Sequence, residues 1–274
     1  MAETTMHSHI CITCGTQFAP TPSPPEHCPI CEDERQYVGH NGQQWTTLSD
    51  LQRNHHNKIE QQEENLYGIG TEPKFAIGQR SLLVQAQQKN VMWDCISLID
   101  DQTVEQINKL GGISAIAISH PHYYGSAVEW GKAFNVKVYI HASDRQWMMY
   151  PDDCVEFWQG ETLSLSDEIT LIRTGGHFEG GTVCHWATGT DGKGTLLTGD
   201  IIQVVADRRW VSFMYSYPNY IPLSKAKVEQ IVRAVKPYSF DRIYGAWWQA
   251  IVTADAKSSV KRSAERYIAA IMAG

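Results

Sequence analysis

Four cysteines near the N-terminus constrain the fold of this chain more than any other feature. They form two C-x-x-C pairs, Cys11 with Cys14 and Cys28 with Cys31, and thirteen residues separate the pairs. Each pair presents two thiolates toward one point, and four thiolates satisfy the tetrahedral preference of zinc. Residues 1–38 are too few and too rich in proline to bury a stable core without such an ion. We therefore predict a structural zinc ribbon over residues 1–38, with a rubredoxin-like iron site as the less favoured alternative.

The other three cysteines, Cys95, Cys154 and Cys184, are isolated and are predicted to be packing residues. The chain has seven cysteines in all, and because this number is odd, they cannot all form disulfides within the chain. The first residues lack the basic start and apolar run of a secretory signal. No apolar stretch reaches the roughly 18 residues that a membrane span needs. These observations favour a reducing, cytoplasmic compartment and predict no membrane association.

The charge balance argues against a nucleic-acid partner. The chain has 23 Lys and Arg against 30 Asp and Glu, which gives a net charge of −7. A groove that neutralises a phosphate backbone needs the opposite balance. We therefore expect a small-molecule substrate and no nucleic acid.

A polar segment, residues 39–66, follows the cysteines and is predicted to be a linker. Thr47 and Asp50 match a capping box for a short helix that runs through Leu51 and Ile59. From residue 67 onward, strand and helix signals alternate, which indicates an α/β sandwich over residues 67–274. The predicted strands are 74–84, 91–97, 112–119, 136–140, 169–173, 182–187 and 194–198. The predicted helices are 101–110 and 126–134, and two more helices close the chain.

Three histidines and an aspartate lie where predicted strands end. The apolar strand 112–119 leads directly into His120 and His122, while His177 lies in a glycine-rich turn and Asp200 follows another apolar strand. Glycines beside His177 and Asp200 let the backbone turn sharply around a bound ion. Nitrogen and oxygen donors in this combination suit zinc or iron.

The order of these motifs resembles the metallo-β-lactamase fold superfamily. The resemblance covers roughly residues 67–274 and rests on a strand ending at Asp94, then His120-x-His122, Gly-Gly-His177 and Thr-Gly-Asp200. It implies an αββα sandwich, preceded here by the small ribbon, with the metal site at one edge of two sheets. It also implies that Asp94 hydrogen-bonds a ligand or a neighbouring loop.

The chain departs from that family at the second metal position. The family motif H-x-H-x-D-H ends here in Tyr124 and Gly125, and Ala246 with Trp247 occupies the region of the family's last histidine. Of the eleven histidines, none lies beyond His185. Only Asp200 therefore remains for a second ion. We expect a single zinc or iron ion on the three motif histidines, with Asp200 near it or bound to it.

This ligand set favours a hydrolase. A zinc ion on three histidines lowers the pKa of a bound water to about 7 and polarises a carbonyl. Asp200 is predicted to orient or deprotonate that water, and Tyr124 to donate a hydrogen bond to the developing oxyanion. Two-metal phosphodiesterase or nuclease chemistry needs the missing ion. The predicted substrate is an ester, lactone or thioester-like carbonyl.

Two alternatives stay open. Two histidines and a carboxylate form the facial triad of non-haem iron oxygenases, and the superfamily includes sulfur dioxygenases with one iron. Those members keep the aspartate that Tyr124 replaces. The loss of ligands also suits a non-catalytic binding protein that retained the fold.

An aromatic segment, residues 210–223, follows Asp200. In the family this region lines the substrate pocket, and we expect Tyr215, Trp247 and Tyr124 to face the site. We expect the ribbon to offer the contact surface of a homo-oligomer.

Overall fold

The N-terminal module is organised around its four cysteines. The structure is a computed structural model that describes residues 5–273, so residues 1–4 of the predicted ribbon and residue 274 lie outside the described range. The four sulfur atoms lie within 4.8 Å of one another, and all four side chains are buried. A helix, Pro29–Glu32, carries Cys31, and the strand His9–Cys11 pairs antiparallel with Trp45–Thr47. The module thus includes residues that the sequence interpretation places in the linker.

The helix after this module begins where the capping box predicts and ends earlier. It spans Leu48–Asn54, and the Thr47 hydroxyl accepts a hydrogen bond from the Asp50 backbone N–H at 3.2 Å. Ile59, which was expected in this helix, lies instead in the strand His56–Glu63. That strand forms the edge of the first sheet and is largely solvated, so its polar sequence lacks the apolar signal of a buried strand.

The first sheet has seven strands. In spatial order they are His56–Glu63, Leu66–Glu72, Arg80–Gln85, Asn90–Trp93, Ala115–Ala117, Val138–His141 and Val155–Trp158. The first four strands pair antiparallel, and the last four pair parallel. Because Asn90–Trp93 and Ala115–Ala117 are parallel neighbours, Asp94 and His120 follow them at the same edge.

The second sheet has six strands and is mainly antiparallel. In spatial order they are Thr162–Ser164, Ile169–Arg173, Thr182–Trp186, Thr195–Gly199, Arg242–Gly245 and Ile251–Val252. One pair, Thr195–Gly199 with Arg242–Gly245, is parallel. Two short hairpins follow Asp200: Gln203–Val204 with Val211–Ser212, and Met214–Ser216 with Ile221–Pro222.

Alternating side chains sort into three apolar layers. Trp93 and Ala117 of the first sheet pack against Leu197 of the second, which joins the two sheets face to face. The helices Asp101–Lys109 and Ala127–Phe134 pack against the outer side of the first sheet. The helices Lys225–Val235 and Ala256–Met272 pack against the second. The result is an αββα sandwich, as the motif order predicts.

Shorter helical segments complete the chain: the 3₁₀ turns Pro121–Tyr123 and Ala142–Trp147, and the turn Gly189–Gly192. Within residues 5–273, no helix combines the length and the apolar character that crossing a membrane requires.

Candidate metal centre

Three histidine rings converge where the carboxyl ends of the central strands meet. His120 follows the strand Ala115–Ala117, and His122 lies in the 3₁₀ turn after it. His177 comes from the turn between the strands Ile169–Arg173 and Thr182–Trp186. One nitrogen from each ring lies within 4.8 Å of the other two, and His177 Nε2 is 3.3 Å from His122 Nδ1. All three rings are buried.

Glycines make this convergence possible. Gly176, directly before His177, has φ +89°, and a Cβ there would lie 2.7 Å from the Ile231 side chain. Gly199, directly before Asp200, has φ +54°, and a Cβ there would lie 2.8 Å from Ser119 Oγ. Glycine alone meets both requirements without strain. The turns that present His177 and Asp200 therefore depend on these two residues.

Asp200 lies beside one of the three histidines. Its Oδ1 lies 3.0 Å from His120 Nε2, and the carboxylate is buried beside the ring. Three atoms here have no hydrogen-bond partner among residues 5–273: His120 Nε2, His122 Nε2 and Asp200 Oδ1. Buried polar atoms without partners are costly unless something binds them. Imidazole nitrogens and a carboxylate oxygen in this state fit a zinc or iron ion.

Burial keeps the three imidazoles neutral. It lowers the pKa of His120 to about 3, with the charge of Arg35 adding to the effect. It lowers the pKa of His177 to about 4. Burial, together with the neighbouring His120 and His177, also lowers the pKa of His122 well below its ordinary value. Since only a neutral imidazole has a lone pair to give, this environment favours a bound cation.

Two hydrogen bonds fix which ring nitrogen faces the centre. His177 Nδ1 lies 3.2 Å from the Met214 carbonyl oxygen, which can only accept, so Nδ1 carries the hydrogen. His120 Nδ1 lies 3.0 Å from Ser119 Oγ, which donates to Asp94 Oδ1 at 2.7 Å. In both rings Nε2 is left with its lone pair for an ion.

Asp94 has the hydrogen-bonding role that the resemblance implied. Its Oδ1 also accepts the Ser119 backbone N–H at 2.8 Å, and burial raises its pKa to about 7. It supports His120 through Ser119, from behind the ring.

Comparison with known proteins identifies the relatives of this chain. No family model matches it. The uncharacterized protein YmaE of Bacillus subtilis (strain 168) is 54% identical over 268 residues, which covers 97% of both chains. The chain belongs to the YmaE family.

Solved structures identify the fold of this family. VMB-1 superposes with a TM-score of 0.59 at 16% identity, over 78% of this chain and 98% of that one. The DIM-1 metallo-β-lactamase superposes with a TM-score of 0.58 at 17% identity, over 78% and 98%. The metallo-β-lactamase FIM-1 of Pseudomonas aeruginosa, in its mono-zinc form, gives 0.57 at 15% identity, over 77% and 95%. This member of the YmaE family has the metallo-β-lactamase fold.

The two positions at which the chain departs from the family motif, 125 and 246, carry no metal-binding side chain. Gly125 has φ +51°, and a Cβ there would lie 2.7 Å from the Ile96 carbonyl group. Ala246 is buried, and its backbone bonds to Gly199 and Arg80. Across the described residues, two groups of metal-binding side chains have the required geometry: the four cysteines and the three histidines.

The Tyr124 side chain does not lie beside the metal centre. Its side chain is buried against the first sheet, and its hydroxyl donates to the Asp144 carbonyl at 3.3 Å. The ring that packs on His120 is Tyr123, edge to face at 4.5 Å. Burial and the Asp200 carboxylate raise the Tyr123 pKa well above its ordinary value. Because consecutive side chains at a 3₁₀ turn point about 120° apart, Tyr123 packs on His120 while Tyr124, the predicted oxyanion donor, points toward Asp144.

Trp247 and Tyr215 occupy different surroundings. Trp247 lines an open cleft of ≈ 590 Å³ together with Met214 and Tyr217. Tyr217, which the sequence interpretation did not select, donates to the Asp200 carbonyl at 2.6 Å, and its ring lies 5.8 Å from that of His177. Tyr215 instead donates to Glu34 of the N-terminal module at 2.7 Å. Tyr217 therefore lies between the cleft and the histidines, and Tyr215 is engaged by the module.

Proposed function

We propose that this protein is a metal-dependent hydrolase with one ion at the histidine site. The observation that carries the proposal is the convergence of three buried, neutral imidazoles at one point, with the Asp200 carboxylate beside one of them, its Oδ1 3.0 Å from His120 Nε2. Two of the solved neighbours bear the name metallo-β-lactamase, and one of them was crystallised in a mono-zinc form. That form supports the view that a single zinc is compatible with the fold.

In this proposal, the histidines, Asp200 and Tyr217 have different roles. A zinc or iron ion held by His120, His122 and His177 would polarise a carbonyl and acidify a water molecule. In this proposal Asp200 Oδ1, which lies 3.0 Å from His120 Nε2, would accept a proton from that water molecule. Tyr217 holds the Asp200 backbone through its carbonyl, and burial of the whole group excludes bulk water.

The cleft beside Tyr217 supports a neutral carbonyl substrate. Its lining combines the mostly apolar side chains Met214, Tyr217, Trp247, Val204 and Ala250 with the polar Gln203, Gln249 and Arg208. A mostly apolar lining with a few polar groups is typical of small-molecule sites and suits an apolar acyl group with a polar carbonyl. We therefore retain an ester, lactone or thioester as the proposed substrate.

The test combines metal content with hydrolysis by the full chain. With metal in excess, we expect two ions per chain, falling to one in Cys11→Ser/Cys14→Ser and to one in His177→Ala. A panel of neutral esters, lactones and thioesters should be hydrolysed by the wild type and not by His177→Ala. The variant His56→Ala, on the exposed edge strand, is the matched control and should retain both ions and the activity.

Two results would overturn the proposal. One is hydrolysis that survives in His177→Ala with the second ion absent. The other is iron at the histidine site with oxygen consumption in place of hydrolysis, which would favour the oxygenase alternative.

A further inference from the structure

The N-terminal module reaches the histidine site through one short segment. This segment, Asp33–Gln36, is called the strap below. The side chain of Asn219 donates to the carbonyl oxygens of Glu34 at 2.9 Å and of Gln36 at 3.0 Å. Ser216 Oγ donates to the Arg35 carbonyl at 3.2 Å. The strap thereby pairs with the hairpin that begins at Met214, the residue whose carbonyl holds the His177 ring.

The Arg35 side chain extends from the strap to the metal ligand itself. Its Nη1 donates to the His177 carbonyl at 3.2 Å, and its guanidinium lies 3.9 Å from the centre of the Phe178 ring. Tyr215 and Trp147 flank it at 5.3 Å and 5.4 Å. The guanidinium is thus enclosed by aromatic rings and bonded to the backbone of one ligand, an arrangement that suits arginine and not lysine.

Asp33 fixes the orientation of this guanidinium. Arg35 Nε donates to Asp33 Oδ1 at 2.6 Å, and Nη2 donates to Oδ2 at 2.8 Å. The exposed fractions of the two side chains are 13% and 16%. A two-pronged pair with so little solvent contact restricts the rotation of the guanidinium. Nη1 is consequently held in place toward His177.

The strap is continuous with the cysteine site. Asp33 ends the helix Pro29–Glu32, and its backbone N–H donates to the Pro29 carbonyl at 3.1 Å. Cys31 lies two residues before Asp33, inside that helix. An ion on the four thiolates would fix this helix and therefore the start of the strap.

We propose that Arg35 is a positioning residue for the ligand His177, and that the strap couples the cysteine site to the histidine site. An ion on the cysteines orders the strap. The strap then holds the His177 backbone through the Arg35 side chain, and it holds the hairpin that begins at Met214 through its own carbonyl oxygens. The two sites bind their ions cooperatively as a result. The metal-binding part of this inference rests on the proposed function.

The first experiment measures metal affinity rather than turnover. Cobalt(II) is titrated into full-length protein whose cysteine site already holds zinc, and the absorption of the histidine site is followed. Arg35→Ala should weaken this site about tenfold or more, as is usual for partners of metal ligands. Arg35→Lys keeps the positive charge but lacks the guanidinium group that bonds both Asp33 and His177, so it should recover only part of the lost affinity. Arg53→Ala, an exposed arginine on the helix Leu48–Asn54, should bind as the wild type does. Wild-type affinity in Arg35→Ala would overturn the proposal.

A second experiment needs no ion at the histidine site. Hydrogen exchange is measured for residues 175–181 and 214–219 with that site kept free of metal by a chelator. Exchange in both segments should be faster in Arg35→Ala, and faster in Cys11→Ser/Cys14→Ser, than in the wild type with zinc on its cysteines. Unchanged exchange in both variants would overturn the coupling. If the wild type takes no ion at its histidines, the proposed hydrolase fails while this experiment still decides the role of the strap.

Discussion

At position 125 the backbone leaves no space for a side chain. Gly125 has a left-handed φ of +51°, and Ile96 lies against the site that a Cβ would fill. The Gly125 carbonyl also accepts the Gln17 backbone N–H at 3.0 Å, which ties this residue to the N-terminal module. The local backbone therefore excludes a histidine ligand at position 125, because the side chain of a histidine here would have to displace Ile96.

Replacing this glycine should be costly for folding. Gly125→Ala adds an unfavourable φ and a close contact with the Ile96 backbone, and we expect a loss of roughly 3 kcal/mol in the free energy of unfolding. Gly42→Ala is the control, because Gly42 also has a positive φ, +81°, while no described atom lies within 4 Å of its Cβ position. Its loss should be about 1 kcal/mol. Equal losses in urea denaturation would show that the Ile96 contact does not matter.

The sequence predicted the histidine set better than its surroundings. His120, His122, His177 and Asp200 each follow an apolar strand or a glycine turn, and both signals are local. Tyr123 and Tyr124 are adjacent and chemically identical, so only the 3₁₀ turn decides which ring meets His120. No pattern in the sequence supplies that rotation.

At the scale of elements, strands with a local sequence signal were predictable and strands without one were not. The buried strands were predictable because both faces of the parallel region need apolar residues. The edge strand His56–Glu63 has one solvated side, and its polar residues read as a linker. The helix before it was predictable at its start, where the Thr47 cap is local. Its end was not, because the pairing of the edge strand with Leu66–Glu72 sets it.

The 3₁₀ turn Ala142–Trp147 supports the His177 loop from outside. Asp144 in this turn is buried, and its Oδ1 accepts the Gly180 backbone N–H at 2.8 Å. Burial raises the Asp144 pKa to about 6, against its ordinary value of 3.8, although the Gly180 bond opposes this shift. The folded state therefore binds this proton more tightly than the unfolded chain does, and this group contributes a loss of stability as pH rises from about 4 to about 6.

Asp144→Asn should remove that dependence on pH. The amide cannot ionise, and its oxygen can still accept the Gly180 N–H. We expect the variant to gain stability over the wild type between about pH 4 and pH 6, by at most roughly 3 kcal/mol, and to keep the gain at pH 7. Urea denaturation at several pH values measures this difference, with the exposed Asp153→Asn as the control for removal of one charge. A difference that does not change with pH would contradict the assignment.

At the scale of the whole molecule, the N-terminal module is part of the sandwich. The Ser97 hydroxyl donates to the Gly15 carbonyl at 2.7 Å, and Ile10 packs with Leu51 and Leu98 in one apolar cluster. The strap adds its bonds near the histidines. The C-x-x-C spacing predicted the ion-binding geometry, but it carries no information on how the module packs against the sandwich. Contacts such as Tyr215 with Glu34 join residues far apart in the chain, and no local signal marks them.

This docking predicts that the module and the sandwich unfold together. Because Ile10 and Gly15 pack directly on the sandwich, loss of the cysteine site should expose the apolar surface under the module as well as the module's own interior. Cys28→Ser should therefore lower the midpoint of the main thermal transition by several degrees, since about 1–2 kcal/mol shifts a domain of this size by that amount. Cys154→Ser is the control for loss of one thiol, because Cys154 is half-buried and lies outside the four-cysteine cluster, and its substitution should lower that midpoint less than Cys28→Ser does. Near-ultraviolet circular dichroism follows the aromatic packing of the sandwich during heating. An early separate transition in Cys28→Ser, followed by a main transition at the wild-type temperature, would instead show that the module folds independently of the sandwich.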